Sequence, residues 1–531
     1  MTDFLVKVDR SSVPAKIAFP KPFNVAVPFI DRHIQENRAN QIAIECANET
    51  VTYGVLSEKV NRCGSALLNQ GITPGERLMM IVKDAPAFFY LFWGAIKAGI
   101  IPIPINTLLR ADDYTFMIEK TTCQALCYSP EYKEEVELAL AASSHKPQSI
   151  LVEGSSTDKT AVLETLMESA PPTLAPFPVT AEDDCFWLFS SGSTGRPKAA
   201  VHRHRDMVVT SELYGVGCLK ITGDDIFYSA AKLFFAYGLG NAMTLPLWTG
   251  ARLILDSRKP TPEITFSNIS RYRPTLYFGV PTLYAALLNN YDHADEKPDL
   301  TSLRACVSAG EALPANILHQ WHRNFGIDII DGIGSTEALH IFITNHIGAV
   351  VPGASGVLVP GYQARILDEK DSDVPTGQIG RLLIKGPSIA SYYWEEPERT
   401  AQTMKGEWLE TGDTYFQNED GVFVYCGRND DMMKVGGIWC SPFEIEAKLM
   451  EHPAVLEAAV VAQMDESDLT KPAAFVVLKH PDSASESLKN ELTSYTKSNL
   501  APYKFPRWIT FLDALPKTAT GKIQRFKLRA P

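Results

Sequence analysis

A chain of 531 residues with 45% hydrophobic content is too long for one hydrophobic core and ordinary for a globular protein, so two or more domains are expected. Its 50 Lys and Arg against 62 Asp and Glu give a net charge of -12 without long single-sign runs, which disfavours a nucleic acid or an anionic membrane as partner and favours a small-molecule substrate. Asp3, Lys7, Asp9 and Arg10 interrupt any export signal, and 9 cysteines without paired Cys-x-x-Cys spacing point to a reducing cytoplasm.

In chain order, short apolar runs at 78–82, 125–128 and 149–152 alternate with longer amphipathic stretches, the rhythm of parallel strands joined by crossover helices. Segment 88–105 is the most apolar, but Lys97, Gly99, Pro102 and Pro104 break it well short of the roughly 20 clean residues of a membrane span. It reads as a buried helix followed by a strand. Cys123 and Cys127 have no second Cys or His pair nearby and read as small buried residues, not zinc ligands. Strand-like runs return at 251–255, 275–279, 303–307 and 327–330, beside helix-like segments at 281–288 and 315–325. The fold class is therefore α/β, with a large N-terminal domain built on two α/β sheets. From about Gly353, Gly-punctuated Val- and Ile-rich segments such as GQIGRLLIKG and GVFVYCGR predict a smaller β subdomain. The closing stretch, with an amphipathic helix near 486–499, predicts a compact α+β module.

The strongest local signal is FWLFSSGSTGRPKAAVHRH, in which an apolar strand at 186–189 enters a loop ending at Lys198. Gly192 and Gly195 let backbone N–H groups approach phosphate oxygens, Ser190, Ser191, Ser193 and Thr194 add donors, and Lys198 adds charge. The loop suits a polyphosphate, yet it is not the P-loop of nucleotide hydrolases, because Lys does not directly follow the second Gly. A lone Gly/Ser tract would more often be a plain surface loop, so the rest of the chain has to decide.

With SAGEALP from Ser308, DGIGSTE from Asp331, TGD from Thr411, GRNDDMMKVGG from Gly427 and PKTATGKIQR from Pro516, that loop makes six motifs in order along nearly the whole chain. In these residues the chain resembles the adenylate-forming superfamily of acyl-CoA synthetases, peptide-synthetase adenylation domains and luciferases. It departs at Ala199, where many members have Gly. The resemblance implies an acid–thiol ligase using ATP, Mg2+ and coenzyme A: a carboxylate attacks the α-phosphate, pyrophosphate leaves, and a thiol then displaces AMP. It implies that Glu337 holds Mg2+, that Thr336 touches the phosphates, and that Asp413 accepts from the ribose hydroxyls with Arg428 nearby. Asp331, Gly332, Ile333 and the segment Ser308, Ala309, Gly310 and Glu311 would border the nucleotide. Lys522 would neutralise charge between carboxylate and α-phosphate, and Lys434 would face the site in the thioester-forming orientation. Asp430 matches the family hinge, dividing a large domain, 1–429, from a small mobile one, 430–531.

The acyl pocket most resembles that of benzoate-type aryl-CoA ligases. Phe235, Ala236, Tyr237, Ala309, Gly332, Gly334, Ala338, His340 and Ile341 would give a flat apolar slot for an aromatic carboxylic acid. Ala236 stands where amino-acid activators usually carry Asp and 2-hydroxybenzoate activators Asn, which disfavours both. Ala338 replaces a larger apolar residue, often Met, and leaves room for a ring substituent, so 2-aminobenzoate (anthranilate) stays open beside benzoate. Three alternatives remain: a free-standing adenylation enzyme loading a carrier-protein thiol; a non-catalytic nucleotide-binding module, which would be expected to lose Lys522, Lys434 or Glu337; and luciferase-like oxidation, to which the aryl-type pocket gives no support. His202 and His204, lacking an evident third ligand, are unassigned.

Overall fold

Five short apolar runs build an all-parallel sheet in the spatial order Ile101–Pro104, Arg77–Ile81, Ala125–Tyr128, Ser149–Val152 and Ala161–Val162. Helices cover the faces of such a sheet, so its strands are apolar throughout instead of alternating. The helix Pro86–Lys97 is buried at every position and leads into Ile101–Pro104, as expected of 88–105. The computed structural model describes residues 4–47, 49–154, 161–190, 196–435, 438–466, 469–517 and 523–529. Among these, no helix is long and apolar enough to cross a membrane.

A second sheet of nine strands runs Val357–Leu358, Ile341–Thr344, Ile329–Gly334, Ala305–Ser308, Leu276–Gly279, Ile226–Ser229, Arg252–Ile254, Ile42–Cys46, Glu49–Thr52. It is parallel through its centre and antiparallel at both margins. The run expected at 327–330 becomes Ile329–Gly334, longer because its glycines admit a close antiparallel neighbour: a Cβ on Gly332 would lie 2.8 Å from the carbonyl oxygen of Ile343. The helix expected at 281–288 continues as Pro281–His293, its last turn largely exposed where the apolar signal fades.

The β subdomain pairs Gln363–Leu367, Gly380–Lys385, Trp408–Gln417 and Phe423–Arg428 in antiparallel order, with Met404–Lys405 at one edge. The closing segment packs the helices Pro442–Met450 and Glu486–Asn499 against the strands Val455–Met464, Thr470–Leu478 and Trp508–Phe511. It has its own core, including Met433, Ile445, Leu449, Val460, Val476 and Leu492. Asn316 Nδ2 donates to the carbonyl of Met450 at 2.8 Å and ties this module to the large one.

Candidate active site

The strand Asp184–Ser190 turns back as Lys198–Arg203, antiparallel, with Ser190 opposite Lys198. The loop expected to meet phosphates therefore connects two antiparallel strands, whereas a P-loop runs from a strand into a helix. Ser191, Gly192, Ser193, Thr194 and Gly195 lie outside the described residues, as does Lys522. At the mouth of the hairpin Glu337 Oε1 accepts from Ser190 Oγ at 3.1 Å and from the Tyr393 hydroxyl at 2.7 Å, and pairs with Lys198 Nζ at 3.1 Å. Burial alone would raise this carboxyl, but the Lys198 charge and the Tyr393 hydroxyl outweigh it and hold it down at about 2. The turn carrying Thr336 is held from behind, since His202 Nε2 lies 2.9 Å from the Thr336 carbonyl and its Nδ1 lies 3.1 Å from Asp206 Oδ2. His204 faces elsewhere, accepting from the backbone N–H of Val25 at 3.3 Å, so the two histidines form no metal pair. Among the described residues no three His, Cys, Asp or Glu side chains converge on a metal-sized point. One carboxylate beside a hydroxyl and a phosphate loop instead fits Mg2+, which takes one or two carboxylates and completes its shell with substrate phosphates and water.

Ser308, at the C-terminal end of Ala305–Ser308, lies beside Asp331 across the parallel ladder. Both are buried, and among the described residues Ser308 Oγ and Asp331 Oδ1 make no well-formed hydrogen bond. Burial pushes the Asp331 carboxyl up to about 8. Unpaired buried polar atoms at the carboxyl ends of parallel strands fit a ligand that brings its own donor, as a purine amine does. Gly332 and Ile333 continue the strand, while the adjoining loop holds Ala309 buried and Gly310 exposed in the left-handed region at φ +95. Glu311 accepts from the backbone N–H of Ile523 at 3.2 Å. Asp413 faces Arg428 across the antiparallel pair, with Arg428 Nη1 3.0 Å from Asp413 Oδ1 and 3.1 Å from the Thr411 carbonyl. Gly412 between them has φ +76, and a Cβ there would lie 2.7 Å from Arg428 Nη2, so only glycine serves.

The acyl segment begins at half-buried Phe235 and enters the one-turn helix Ala236–Leu239. The Tyr237 hydroxyl donates to the carbonyls of Gly279 and Val307, both at 3.2 Å, which fixes its ring against the sheet. Buried His340 packs between Tyr214, 5.0 Å away by ring centroids, and Tyr237, 6.1 Å away, and its Nε2 bonds Asn241 Oδ1 at 3.1 Å. Burial pushes its imidazole down to about 3, so the ring is neutral. Gly334 ends one strand, Ile341 begins its antiparallel neighbour, and Ala338 lies in the turn between them, fully buried with its carbonyl accepting from Ser388 Oγ at 2.7 Å. Asp430 is exposed, its carbonyl taking Arg529 Nη2 at 2.9 Å. Lys434 is not brought to the Glu337 cluster, for its ammonium pairs with Glu369 Oε1 at 2.6 Å. Sequence reasoning missed Tyr393, the His202–Asp206 pair, Tyr214 and Asn241; of these only the i,i+4 spacing of His202 and Asp206 was a visible signal.

Residues 30–394 match the AMP-binding enzyme family, and residues 444–522 match the AMP-binding enzyme C-terminal domain. The chain belongs to the AMP-binding enzyme family. Among family members it is 46% identical to the benzoate–CoA ligase of Thauera aromatica, over 98% of each chain. It is similar to two solved AMP-binding structures: the anthranilate CoA ligase AuaEII in complex with anthranoyl-AMP, with TM-score 0.92, 39% identity and coverage of 96% of this chain and 97% of that one, and a benzoate CoA ligase from Burkholderia xenovorans LB400, with TM-score 0.89, 42% identity and coverage of 96% and 100%.

Proposed function

We propose that this chain is an ATP- and Mg2+-dependent aryl-acid CoA ligase of the benzoate or 2-aminobenzoate type, forming aryl-AMP and pyrophosphate and then aryl-CoA and AMP. The observation that carries the reading is a neutral aromatic slot, Tyr214, Tyr237 and His340 with Ala236 at its edge, next to the Glu337–Lys198 pair at the phosphate hairpin. Among the described residues no carboxylate hydrogen-bonds to Tyr214, Tyr237 or His340, so these rings offer no partner for the α-amine of an amino acid and suit a flat apolar ring. The benzoate and anthranilate ligases among its relatives support the same class.

In the first half-reaction Lys198 moves from Glu337 to the incoming phosphates, and Lys522 offsets the charge where the substrate carboxylate meets the α-phosphate. Glu337 would hold Mg2+, which when bound would supply further charge neutralisation. Ser308 and Asp331 take the base and Asp413 the ribose. The small domain, 430–531, then turns about Asp430 so that Lys434 replaces Lys522 at the site. With Ala338 bordering the ring, so small a side chain would leave room for an ortho substituent, which keeps 2-aminobenzoate beside benzoate. The eight buried cysteines form no disulfide among the described residues, which fits a reducing, cytoplasmic setting.

A pyrophosphate-release screen over aryl, aliphatic and amino acids, with and without CoA, tests the reading. Benzoate or 2-aminobenzoate should lead, with aryl-CoA formed from CoA alone. Release confined to amino or aliphatic acids would overturn the aryl assignment. Release without thioester until a carrier protein is added would assign the alternative acceptor.

A further inference from the structure

Three side-chain donors on Glu337 go to one oxygen. Ser190 Oγ at 3.1 Å, the Tyr393 hydroxyl at 2.7 Å and Lys198 Nζ at 3.1 Å all meet Oε1, and among the described residues no other side chain donates to Oε2. Tyr393 also accepts from Lys198 Nζ at 2.6 Å, with the ammonium 4.2 Å from its ring centroid. The phenol thus stands between the cation and the carboxylate, touching both.

Tyr393 is itself rigidly placed. It lies 1% exposed on the two-residue strand Tyr392–Tyr393, which pairs with the hairpin through Ala200, and its backbone N–H donates to Thr400 Oγ1 at 3.0 Å. The Glu337 main chain is also fixed, its carbonyl taking Ala390 N–H at 2.7 Å. What remains free is rotation of the Glu337 side chain, and the Tyr393 hydroxyl restrains it.

We propose that Tyr393 is the positioning residue for metal binding by Glu337. It holds Oε1 so that Oε2 is the oxygen offered to Mg2+, and it keeps a donor on Oε1 after Lys198 has left for the phosphates. Tyr393 does not touch substrate; it acts through Glu337. The inference rests on the Mg-nucleotide reading of the site. Loss of one charge-assisted hydrogen bond to a ligating carboxylate lowers metal affinity on the order of ten-fold.

The test is Tyr393→Phe, which keeps the ring and removes the hydroxyl, beside Tyr392→Phe as control. The Tyr392 hydroxyl donates to Asp184 Oδ2 at 2.6 Å, on the same strand but not at Glu337. Calorimetric binding of a non-hydrolysable ATP analogue with Mg2+ should weaken about ten-fold in Tyr393→Phe and stay unchanged in Tyr392→Phe. Binding of the analogue in EDTA, and thioester formation from supplied aryl-adenylate, should match wild type in both. Unchanged metal-dependent affinity in Tyr393→Phe overturns the proposal, as does an equal loss with and without metal, which marks a purely structural role. Failure of wild type to bind the Mg-analogue would instead overturn the underlying reading of the site.

Discussion

Ile523 donates its backbone N–H to Glu311 Oε1 at 3.2 Å, joining the residue after Lys522 to the SAGEALP loop proposed to border the nucleotide. In the same arrangement Lys434 pairs with Glu369, which fits the proposal that the two lysines serve the site in turn. Lys522→Ala should reduce aryl-adenylate formation by roughly 100-fold or more while leaving thioester formation from supplied aryl-adenylate within a few-fold. Lys434→Ala should show the reverse. Single-turnover assays of each half-reaction check this, and equal losses in both halves for both variants would discard the two-orientation mechanism.

Gly240 is the contact on which His340 rests. A Cβ there would lie 2.1 Å from His340 Cδ2 and 2.3 Å from Nε2, so Gly240→Ala should displace the imidazole from Asn241 and disturb the proposed acyl slot. The kcat/KM for the aryl acid should fall about 10- to 100-fold with the KM for ATP nearly unchanged. A matching rise in the KM for ATP would show that the pocket and the nucleotide site are not separable in this way.

Asp331 gives a pH signature. Its carboxyl is raised by burial to about 8, against about 3.9 in an unfolded chain, so the folded state holds this proton more tightly. Its contribution to stability is full below about pH 4 and is lost as pH rises toward about 8. Asp331→Asn removes that dependence, so the melting temperature of the variant relative to wild type should climb by a few degrees between pH 5 and pH 8 in the absence of nucleotide. A difference that stays flat across this range would contradict the raised carboxyl.

Arg525 closes the small module from its C-terminal end. Its Nη2 lies 2.9 and 2.7 Å from the two oxygens of buried Glu446, whose Oε1 also accepts from Val460 N–H at 2.7 Å. Arg525→Ala leaves that carboxylate buried without its cation, a change that costs about 3–5 kcal/mol. Urea unfolding followed by a probe in the small module should show a correspondingly earlier transition, and Glu446→Gln in the Arg525→Ala background should recover part of it. No shift in the midpoint would mean that solvent replaces the pair at little cost.

Residues whose work is announced locally were legible before any coordinates. The TGD turn and the GR that follows it appear as Asp413 across from Arg428 because adjacent strands bring near neighbours in sequence together. Apolar runs with fixed spacing likewise gave most of the strands, and the helix near 486–499 is found as Glu486–Asn499. Illegible were contacts made by closure of the fold over long separations. Tyr393 meets Glu337 across 56 positions, His202 meets Thr336 across 134, and Asn241 meets His340 across 99, distances at which periodicity carries no information. The same holds for Ile42–Cys46, which joins the later sheet beside Arg252–Ile254 through a parallel pairing that no local pattern encodes.

The cysteines acquire a meaning once the chemistry is set beside them. Eight of the nine are buried, and burial pushes the thiols of Cys63, Cys123, Cys127, Cys185, Cys218, Cys306, Cys426 and Cys440 above their usual range. The nucleophile in acyl transfer is the thiolate, and a protonated thiol in an apolar core is inert. An enzyme that makes a mixed anhydride and then a thioester produces two acylating agents within its own walls. Keeping these eight thiols protonated and out of reach insulates them against acylation, so the thiolate that meets the activated acid is the acceptor's.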